Sequence, residues 1–399
     1  MKATRPTSKP GRAATRRPTT PHAKPPDHAL TQVATTDQDA EPQGLAVSVW
    51  FDPGTGDEPY TAIVRFSGRR VGGARGRPDT FVKDETVRGV IPDNGPVSVM
   101  ARVSGIPAGE WAVTADVLRP ARDRGGRPPQ RMCRATPAAW SWRRWALSAG
   151  PATPVKTRLA ALTTIARSPA VLPGSFASLV LLGVLVALTL QALLVARANI
   201  DAGTVLVISL LALLAGLAGA KLWYAAIHFQ AWRKAPHVGW CIQGFLLGAA
   251  IAVTAGLAIA DLPVGVVLDA TAPGMFAGLA IGRIGCFFTG CCAGRPSASR
   301  WALWSSDRRV GARRIPTQLL ESAAAGAIAA TAWLLLTLVE PAVSGALVVA
   351  SLAGYTLVRQ WVLRLRVEPR QSTLGGPIVA GVAAAALVLA GALLFVALP

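Results

Sequence analysis

From Leu172 to the end the chain is a succession of long apolar runs, and no other feature restricts its fold so strongly. The runs fall at 172–197, 203–228, 239–260, 263–289, 318–338, 342–366 and 374–398, built mainly of Ala, Leu, Val and Gly. A bilayer core of about 30 Å is crossed by about 20 helical residues, and each run is long enough. Lipid offers no partner for backbone N–H and C=O groups, so such runs must close their own hydrogen bonds as helices. The fourth run contains Pro273 and is expected to be the least regular helix. Of the 399 residues, 51% are hydrophobic and only 16% charged. The expected class is therefore an all-α polytopic membrane protein with about seven transmembrane helices, multi-pass in the cell (cytoplasmic) membrane. In a soluble protein the formal net charge of +20 would raise nucleic acid as a partner. In a chain embedded in a bilayer it points to anionic membrane lipid, and no nucleic acid is expected.

The part before Leu172 has a different grain. Residues 1–43 are rich in Pro, Thr and Arg and contain no apolar stretch. They read as a disordered basic arm with no signal peptide visible. Residues 44–118 alternate apolar and polar residues over short runs (LAVSVWFDP, YTAIVRFSG, PVSVMARVSG, EWAVTADVL) separated by Gly, Pro and Asp. That is the pattern of a small antiparallel β-domain, expected as an immunoglobulin-like sandwich with Trp50 and Trp111 in its core. Residues 119–171 are Arg-, Pro- and Trp-rich without a sustained period and read as a linker to the membrane. Trp140, Trp142 and Trp145 beside Arg143 and Arg144 suit the headgroup layer and an ordinary linker equally well. The transmembrane domain then spans 172–399.

Within the apolar half the polar residues converge. Successive helices alternate in direction, so the ends of helices two, four and six share a face with the starts of three, five and seven. Lys221 and Tyr224 lie late in the second helix, Gln243 early in the third and Arg283 late in the fourth. Gln318 and Glu321 open the fifth, and Arg359 and Arg366 lie late in the sixth. All eight fall on one side. The loop arginines Arg300, Arg308, Arg309 and Arg313 are explained by the bias of Lys and Arg toward cytoplasmic loops. Arg283 and Arg359 are flanked by apolar sequence. An arginine at a helix centre costs about 2.5–3.5 kcal/mol on insertion scales, less near the interface. Two cations at one depth make an electropositive pocket suited to a lipid phosphate, which the planar guanidinium binds bidentately. Gly274, Gly278 and Gly282, four apart, form a small-residue ridge that lets a neighbouring helix approach closely.

The run Leu268–Arg295, LDATAPGMFAGLAIGRIGCFFTGCCAGR, resembles the signature of bacterial prolipoprotein diacylglyceryl transferases: Asp-x-x-Ala-Pro, then Gly-Arg-(Ile/Leu)-Gly-Asn-Phe-x-Asn-Gly-Glu, then Gly-Arg. Asp269, Ala272, Pro273, Gly282, Arg283, Gly285, Phe287, Gly290, Gly294 and Arg295 stand in place. RIPTQLLE (Arg314–Glu321) is similar to the family's Arg-His-Pro-Ser-Gln-Leu-Tyr-Glu. YTLVRQWVLRLRVEP (Tyr355–Pro369) resembles its Tyr-x-x-x-Arg…Glu-x-x-Arg-x-Pro helix. GAKLWY (Gly219–Tyr224) and IQGFLLG (Ile242–Gly248) resemble two further motifs, so that the likeness covers about 170–399. It implies transfer of diacylglyceryl from phosphatidylglycerol to the lipobox cysteine of a prolipoprotein, with glycerol phosphate leaving. The two implied partners are that lipid and that protein substrate. By resemblance Arg283 and Arg359 clamp the phosphate and Gln243 stands at a catalytic position. Lys221, Tyr224, Arg295, Arg314, Gln318, Glu321 and Arg366 form the substrate pocket. No metal or other cofactor is implied.

The chain departs from the family pattern at several polar positions. Gln243 stands where the family has His, and an amide orients a lipid oxygen but takes no proton at pH 7. Cys286, Thr289 and Cys291 replace Asn, Asn and Glu; Lys221 replaces Arg and Leu363 replaces Glu. Two readings follow. One is a divergent transferase with another base, such as His228 or His237. The other is a catalytically altered or inactive paralogue that handles lipid or lipoprotein. The five cysteines are too few for a disulfide scaffold. Cys286, Cys291 and Cys292 suit close packing of a glycine-rich turn better than a metal site, which wants a second pair or histidines. The resemblance places the catalytic face outside the cytoplasm, whereas the charge bias places the basic arm inside. The family topology is preferred, because the site arginines inflate the charge count. Either way the β-domain is expected on the catalytic side.

Overall fold

Seven helices carry the apolar runs in the computed structural model: α1 Ser175–Arg197, α2 Ala202–Ile227, α3 Ile242–Ile259, α4 Val264–Thr289, α5 Thr317–Leu338, α6 Ala346–Val362 and α7 Gly375–Phe395. All are long and apolar enough to cross a membrane, α6 together with the 3₁₀ turn Leu363–Leu365 that follows it. The protein is thus a multi-pass membrane protein. The structure describes residues 43–72, 79–119, 130–141, 146–149, 154–159, 170–234, 239–339, 341–368 and 374–395. Residues 1–42 of the basic arm, the Trp142–Trp145 cluster and His237 lie outside the described residues, as does the side chain of Trp140.

Small residues set the helix packing. A Cβ at Gly183 of α1 would come 2.6 Å from the carbonyl oxygen of Gly278 on α4, and one at Gly278 equally close to that of Gly183. Gly274 meets Ala187 in the same way, so α1 and α4 touch backbone to backbone. Gly282 does not share this seam: among the described residues nothing lies within 4 Å of a Cβ built there. Steps of four residues advance about 400° around a helix, so a third glycine on that row rotates off the contact. Gly285, seven residues beyond Gly278, returns to face Phe176 and Leu179.

Pro273 lies inside α4 without interrupting it. Its missing N–H removes only the bond to the Asp269 carbonyl. The Asp269 side chain has a separate task. Its two oxygens accept hydrogen bonds from Gly345 N (2.6 Å) and Val348 N (2.8 Å), capping the start of α6 from a neighbouring helix. A buried polar chain also ties the bundle together. Ser209 Oγ donates to Gln191 Oε1 at 2.9 Å, and Gln191 Nε2 donates to Thr271 Oγ1 at 2.8 Å.

The N-terminal part is all-β. Its strands are β1 Gln43–Phe51, β2 Tyr60–Arg70, β3 Thr80–Val90, β4 Val97–Ser104, β5 Glu110–Arg119, β6 Gln130–Ser141, β7 Ala146–Ala149, β8 Val155–Lys156 and β9 Arg158–Leu159. One core, centred on Trp111, Phe66, Leu45, Val64, Val99 and Val117, is shared by strands from both ends of the sheet. Trp111 belongs to this core, as expected; Trp50 does not. Val47, Val49 and Phe51 face inward, and alternation turns Trp50 to the opposite side.

The sheet extends further than the sequence suggested. Residues 119–171, read as a linker, contribute β6 to β9; β6 pairs with both β5 and β1. Its Arg and Pro residues obscure the alternation, but ladder hydrogen bonds are made by backbone and do not depend on it. The loop between α4 and α5 then adds a hairpin, β10 Leu303–Ser306 and β11 Val310–Arg314. The path through the sheet runs β10-β11-β4-β1-β6-β5-β2-β3. β11 joins β4 through Val310 opposite Val99 and Gly311 opposite Ser98. Asn94 Nδ2 donates to the Ser297 carbonyl (3.0 Å), Trp304 Nε1 donates to the Pro96 carbonyl (3.0 Å), and Arg309 pairs with Glu85. The β-domain is thereby fixed to the end of the bundle where α4 stops and α5 starts.

Candidate active site

The α4–α5 loop begins at an αL cap, Gly290 with φ 71°. It is held at both edges. Arg295 N donates to the Leu365 carbonyl (2.9 Å) and Val367 N to the Ala293 carbonyl (3.1 Å), joining the loop to the chain after α6. Ile315 N donates to the Arg295 carbonyl (3.0 Å) on the other side. Gly294 lies between these strands, where a Cβ would come 3.0 Å from Thr317 Cγ2. Only a residue without a side chain lets the three segments close.

This closure brings three charges together. Arg283 Nε on α4 lies 2.9 Å from Glu321 Oε2 on α5, and Arg366 Nη2, just past α6, donates to Glu321 Oε1 at 2.5 Å. The carboxylate is fully buried; the side chains of Arg366 and Arg283 are 5% and 12% exposed. Arg283 Nη2 also reaches Tyr355 Oη on α6 at 3.4 Å. Two guanidiniums share one carboxylate, leaving a surplus of one positive charge and several N–H donors. Among the described residues Arg366 Nε has no hydrogen-bond partner, and Arg283 Nε approaches the carboxylate without making a directed hydrogen bond. Buried ions are normally matched, because an unmatched charge in low dielectric costs several kcal/mol. A surplus cation here suits an anionic group entering from lipid.

The other residues expected at the site divide into three sets. Arg295 is attached to the charge chain, its Nε donating to the Arg366 carbonyl at 3.1 Å. Gln318 is buried and fixes the loop, its Nε2 donating to the Cys291 carbonyl at 2.8 Å. Arg359 lies on α6 one turn past Tyr355, and its side chain has no hydrogen bond or ion pair among the described residues. The structure places Arg314 apart from Glu321. It is buried, donates to Asp307 Oδ2 (2.7 Å) and to the Gly294 carbonyl (3.2 Å), and braces the hairpin. Burial pushes its guanidinium below the usual arginine range, opposed by the Asp307 carboxylate.

Lys221, Tyr224 and Gln243 form a separate group on α2 and α3. Lys221 Nζ sits 4.3 Å from the Trp240 ring centre, Tyr224 packs against His228 in a tilted pair with ring centres 4.9 Å apart, and Gln243 Oε1 accepts from Cys241 Sγ at 2.8 Å. Neither Tyr224 nor Gln243 has a hydrogen bond or ion pair with Arg283, Glu321 or Arg366 among the described residues.

One contributor was not given a role from sequence: Tyr355 stands four residues before Arg359, a spacing that puts both on one helix face and was the available signal. Cys292, read from sequence with Cys286 and Cys291 as packing of a glycine-rich turn, feels the charges of Arg366 and Arg283. Its neighbour Cys291 donates a thiol hydrogen bond to it, and with the two arginine charges this pulls the Cys292 thiol down to about 6, against burial. The Cys291 thiol is pushed up, because its proton is committed to Cys286 and Cys292. No group of three or more His, Cys, Asp or Glu among the described residues is arranged to hold a metal ion.

Fold and site together define a polytopic membrane protein with an arginine–carboxylate–arginine chain buried at one end of its bundle. The chain belongs to the prolipoprotein diacylglyceryl transferase family, whose model matches residues 174–397. It is similar to a phosphatidylglycerol–prolipoprotein diacylglyceryl transferase of Dehalococcoides mccartyi, 35% identical over 102 residues, covering 24% of this chain and 39% of the relative. The enzyme of the same name from another strain of that species is 30% identical over 133 residues, 31% and 51% of the two chains. That of Synechococcus elongatus is 30% identical over 141 residues, 33% and 47%. The chain thus spans about two fifths to one half of the length of the curated relatives it matches.

Proposed function

We propose that the protein transfers diacylglyceryl from phosphatidylglycerol to the lipobox cysteine of prolipoproteins in the bacterial cytoplasmic membrane, with its site on the outer face. The observation that carries this reading is the Arg283–Glu321–Arg366 chain with its surplus cation, in a member of this family. The substrate thiolate attacks the glyceryl carbon bonded to the phosphate oxygen. The C–S bond forms, the C–O bond breaks, and the glycerol phosphate leaves with an added negative charge. That charge grows in the transition state, so donors already aimed at the phosphate lower the barrier. Arg283 and Arg366 supply them, and Arg359 adds a third cation on the face of Tyr355. Arg295, Gln318 and Arg314 hold the loop and hairpin that frame the lipid headgroup. Lys221, Tyr224 and Gln243 line the neighbouring α2–α3 surface, suited to lipid oxygens.

A second reading, a paralogue that binds lipid or lipoprotein without transfer, draws on Gln243. It stands where the resemblance places a histidine and makes its contact within its own turn. Complementation separates the two. A strain depleted of its own transferase is expected to grow when this chain is expressed and to fail with Arg283→Ala. Failure of the wild-type chain, expressed and inserted in the membrane, would favour the paralogue.

A further inference from the structure

The β-domain lies outside the segment 174–397 that the family model matches, yet it is built into the site. The connection runs through the β10–β11 hairpin, whose turn has a partner on each side. Arg308 Nε donates to the carbonyl of Thr289, the last residue of α4, at 3.2 Å, while Arg309 pairs with Glu85 of β3. The turn between them is fixed, because Asp307 Oδ1 accepts from Arg309 N (3.0 Å) and Val310 N (2.7 Å). On the β-domain side Met100 N donates to the Arg309 carbonyl at 2.9 Å. Gly311 lies so close to β4 that an added Cβ would collide with Ser98 Oγ.

We propose that the β-domain is a positioning element for the transfer, with Glu85 and Arg309 as its positioning residues. It holds the hairpin so that Arg366 stays in register with Arg283. The proposal deepens the transferase reading and rests on it.

The path from the domain to the charges is continuous. β4 pairs with β11. Three residues past Gly311, the buried Arg314 donates to the Gly294 carbonyl at 3.2 Å. Ser297 N donates to the Arg313 carbonyl (3.1 Å) and Ile315 N to the Arg295 carbonyl (3.0 Å), so the end of β11 lies along the loop. Gly294 is bridged in turn to Arg366, which donates to Glu321, the carboxylate beside Arg283. Paired strands keep a spacing of about 4.8 Å, so a shift of one is passed to the next. Arg283 is carried by α4 and Arg366 by the segment after α6. Their separation is therefore set by the loop that joins those elements, and the hairpin bears on that loop. A misplacement of about 1 Å caused far from the chemistry costs up to about 100-fold in rate. Donors out of register lose more in the transition state than in the ground state, so the loss belongs in kcat. Arg309 is 62% exposed, and an exposed ion pair adds little to stability. What the site takes from it is geometry.

The test uses the full-length chain in phosphatidylglycerol vesicles with a lipobox peptide. Arg309→Glu sets two carboxylates against each other. It should lower kcat about 10-fold and leave KM for phosphatidylglycerol nearly unchanged. Its melting temperature should move by no more than about 4 °C. Adding Glu85→Arg restores opposite charges and should recover most of kcat. Arg65→Glu is the control and should change nothing. It breaks the ion pair with Asp84, which neighbours Glu85 on β3 but faces the other way. Amide hydrogen exchange reads the same coupling without activity. Arg309→Glu should speed exchange at Arg295 N and Val367 N, which join the loop to the chain after α6, and the double variant should slow it again. Wild-type kcat in Arg309→Glu, or exchange at those two amides unchanged by it, overturns the positioning role. So does a fall in kcat that Glu85→Arg leaves uncorrected. A folded wild type that transfers nothing overturns the transferase reading instead, and the exchange comparison alone then supports or overturns the hold of the β-domain on the loop.

Discussion

Replacing Glu321 by glutamine tests the charge chain most sharply. The carboxylate is fully buried and is the anion shared by Arg283 at 2.9 Å and Arg366 at 2.5 Å. Glutamine keeps the size and removes the charge, which strands two guanidiniums in a low-dielectric site. Breaking a buried pair in this way costs about 3–5 kcal/mol. At about 2–4 °C per kcal/mol for a domain of this size, the melting temperature in neutral-lipid nanodiscs should fall by about 6–20 °C. The same change removes the repulsion between Glu321 and an incoming phosphate. At a separation of about 5.5 Å and an effective dielectric near 20, that repulsion is about 3 kcal/mol. Added phosphatidylglycerol should therefore raise the melting temperature of E321Q more than that of the wild type. Thermal unfolding followed by tryptophan fluorescence, with and without phosphatidylglycerol, reads both effects. An E321Q protein that melts within 1–2 °C of the wild type, and responds identically to the lipid, would refute the reasoning.

Four further outcomes follow from the packing. Gly278→Leu should lower thermal stability by about 1–3 kcal/mol or prevent insertion, since its Cβ would meet the Gly183 carbonyl at 2.6 Å. Gly282→Ala should be neutral or stabilising by up to about 1 kcal/mol, because that site is open; a detergent melting series compares the two. Asp269→Ala removes both capping acceptors of α6 and should cost about 1–2 kcal/mol in the same assay. Arg314→Ala leaves Asp307 and the Gly294 carbonyl without their donor. It should loosen the hairpin, seen as faster hydrogen exchange at β10 and β11 with the distant Asp269–Val348 bond protected as before.

The helices were legible because the bilayer admits few solutions. Apolar length alone marks all seven, to within a few residues at each end. The β-domain was legible as far as Arg119, where alternation is clean. Beyond it the strands are recognised by their partners and not by their own pattern. The β10–β11 hairpin lies more than 200 residues from β4, and no local signal in LWSS or VGARR names that partner. The polar residues were readable as a set on one face, because helix direction alternates. Which of them meet was not. Glu321 is shared by Arg283 and Arg366 because the loop after α4 is pulled against the end of α6 through Gly294, a tertiary closure. Trp50 went astray for a simpler reason: a large apolar residue was placed inside although its two neighbours already were.

The most direct measurement is transfer itself, with the purified full-length chain in vesicles and a peptide bearing a lipobox cysteine. The account predicts that the peptide gains the mass of one diacylglyceryl group in phosphatidylglycerol vesicles, gains nothing in phosphatidylethanolamine vesicles, and gains nothing with Arg283→Ala. A folded wild-type chain that leaves the peptide unmodified in phosphatidylglycerol, or an Arg283→Ala variant as active as the wild type, would contradict it.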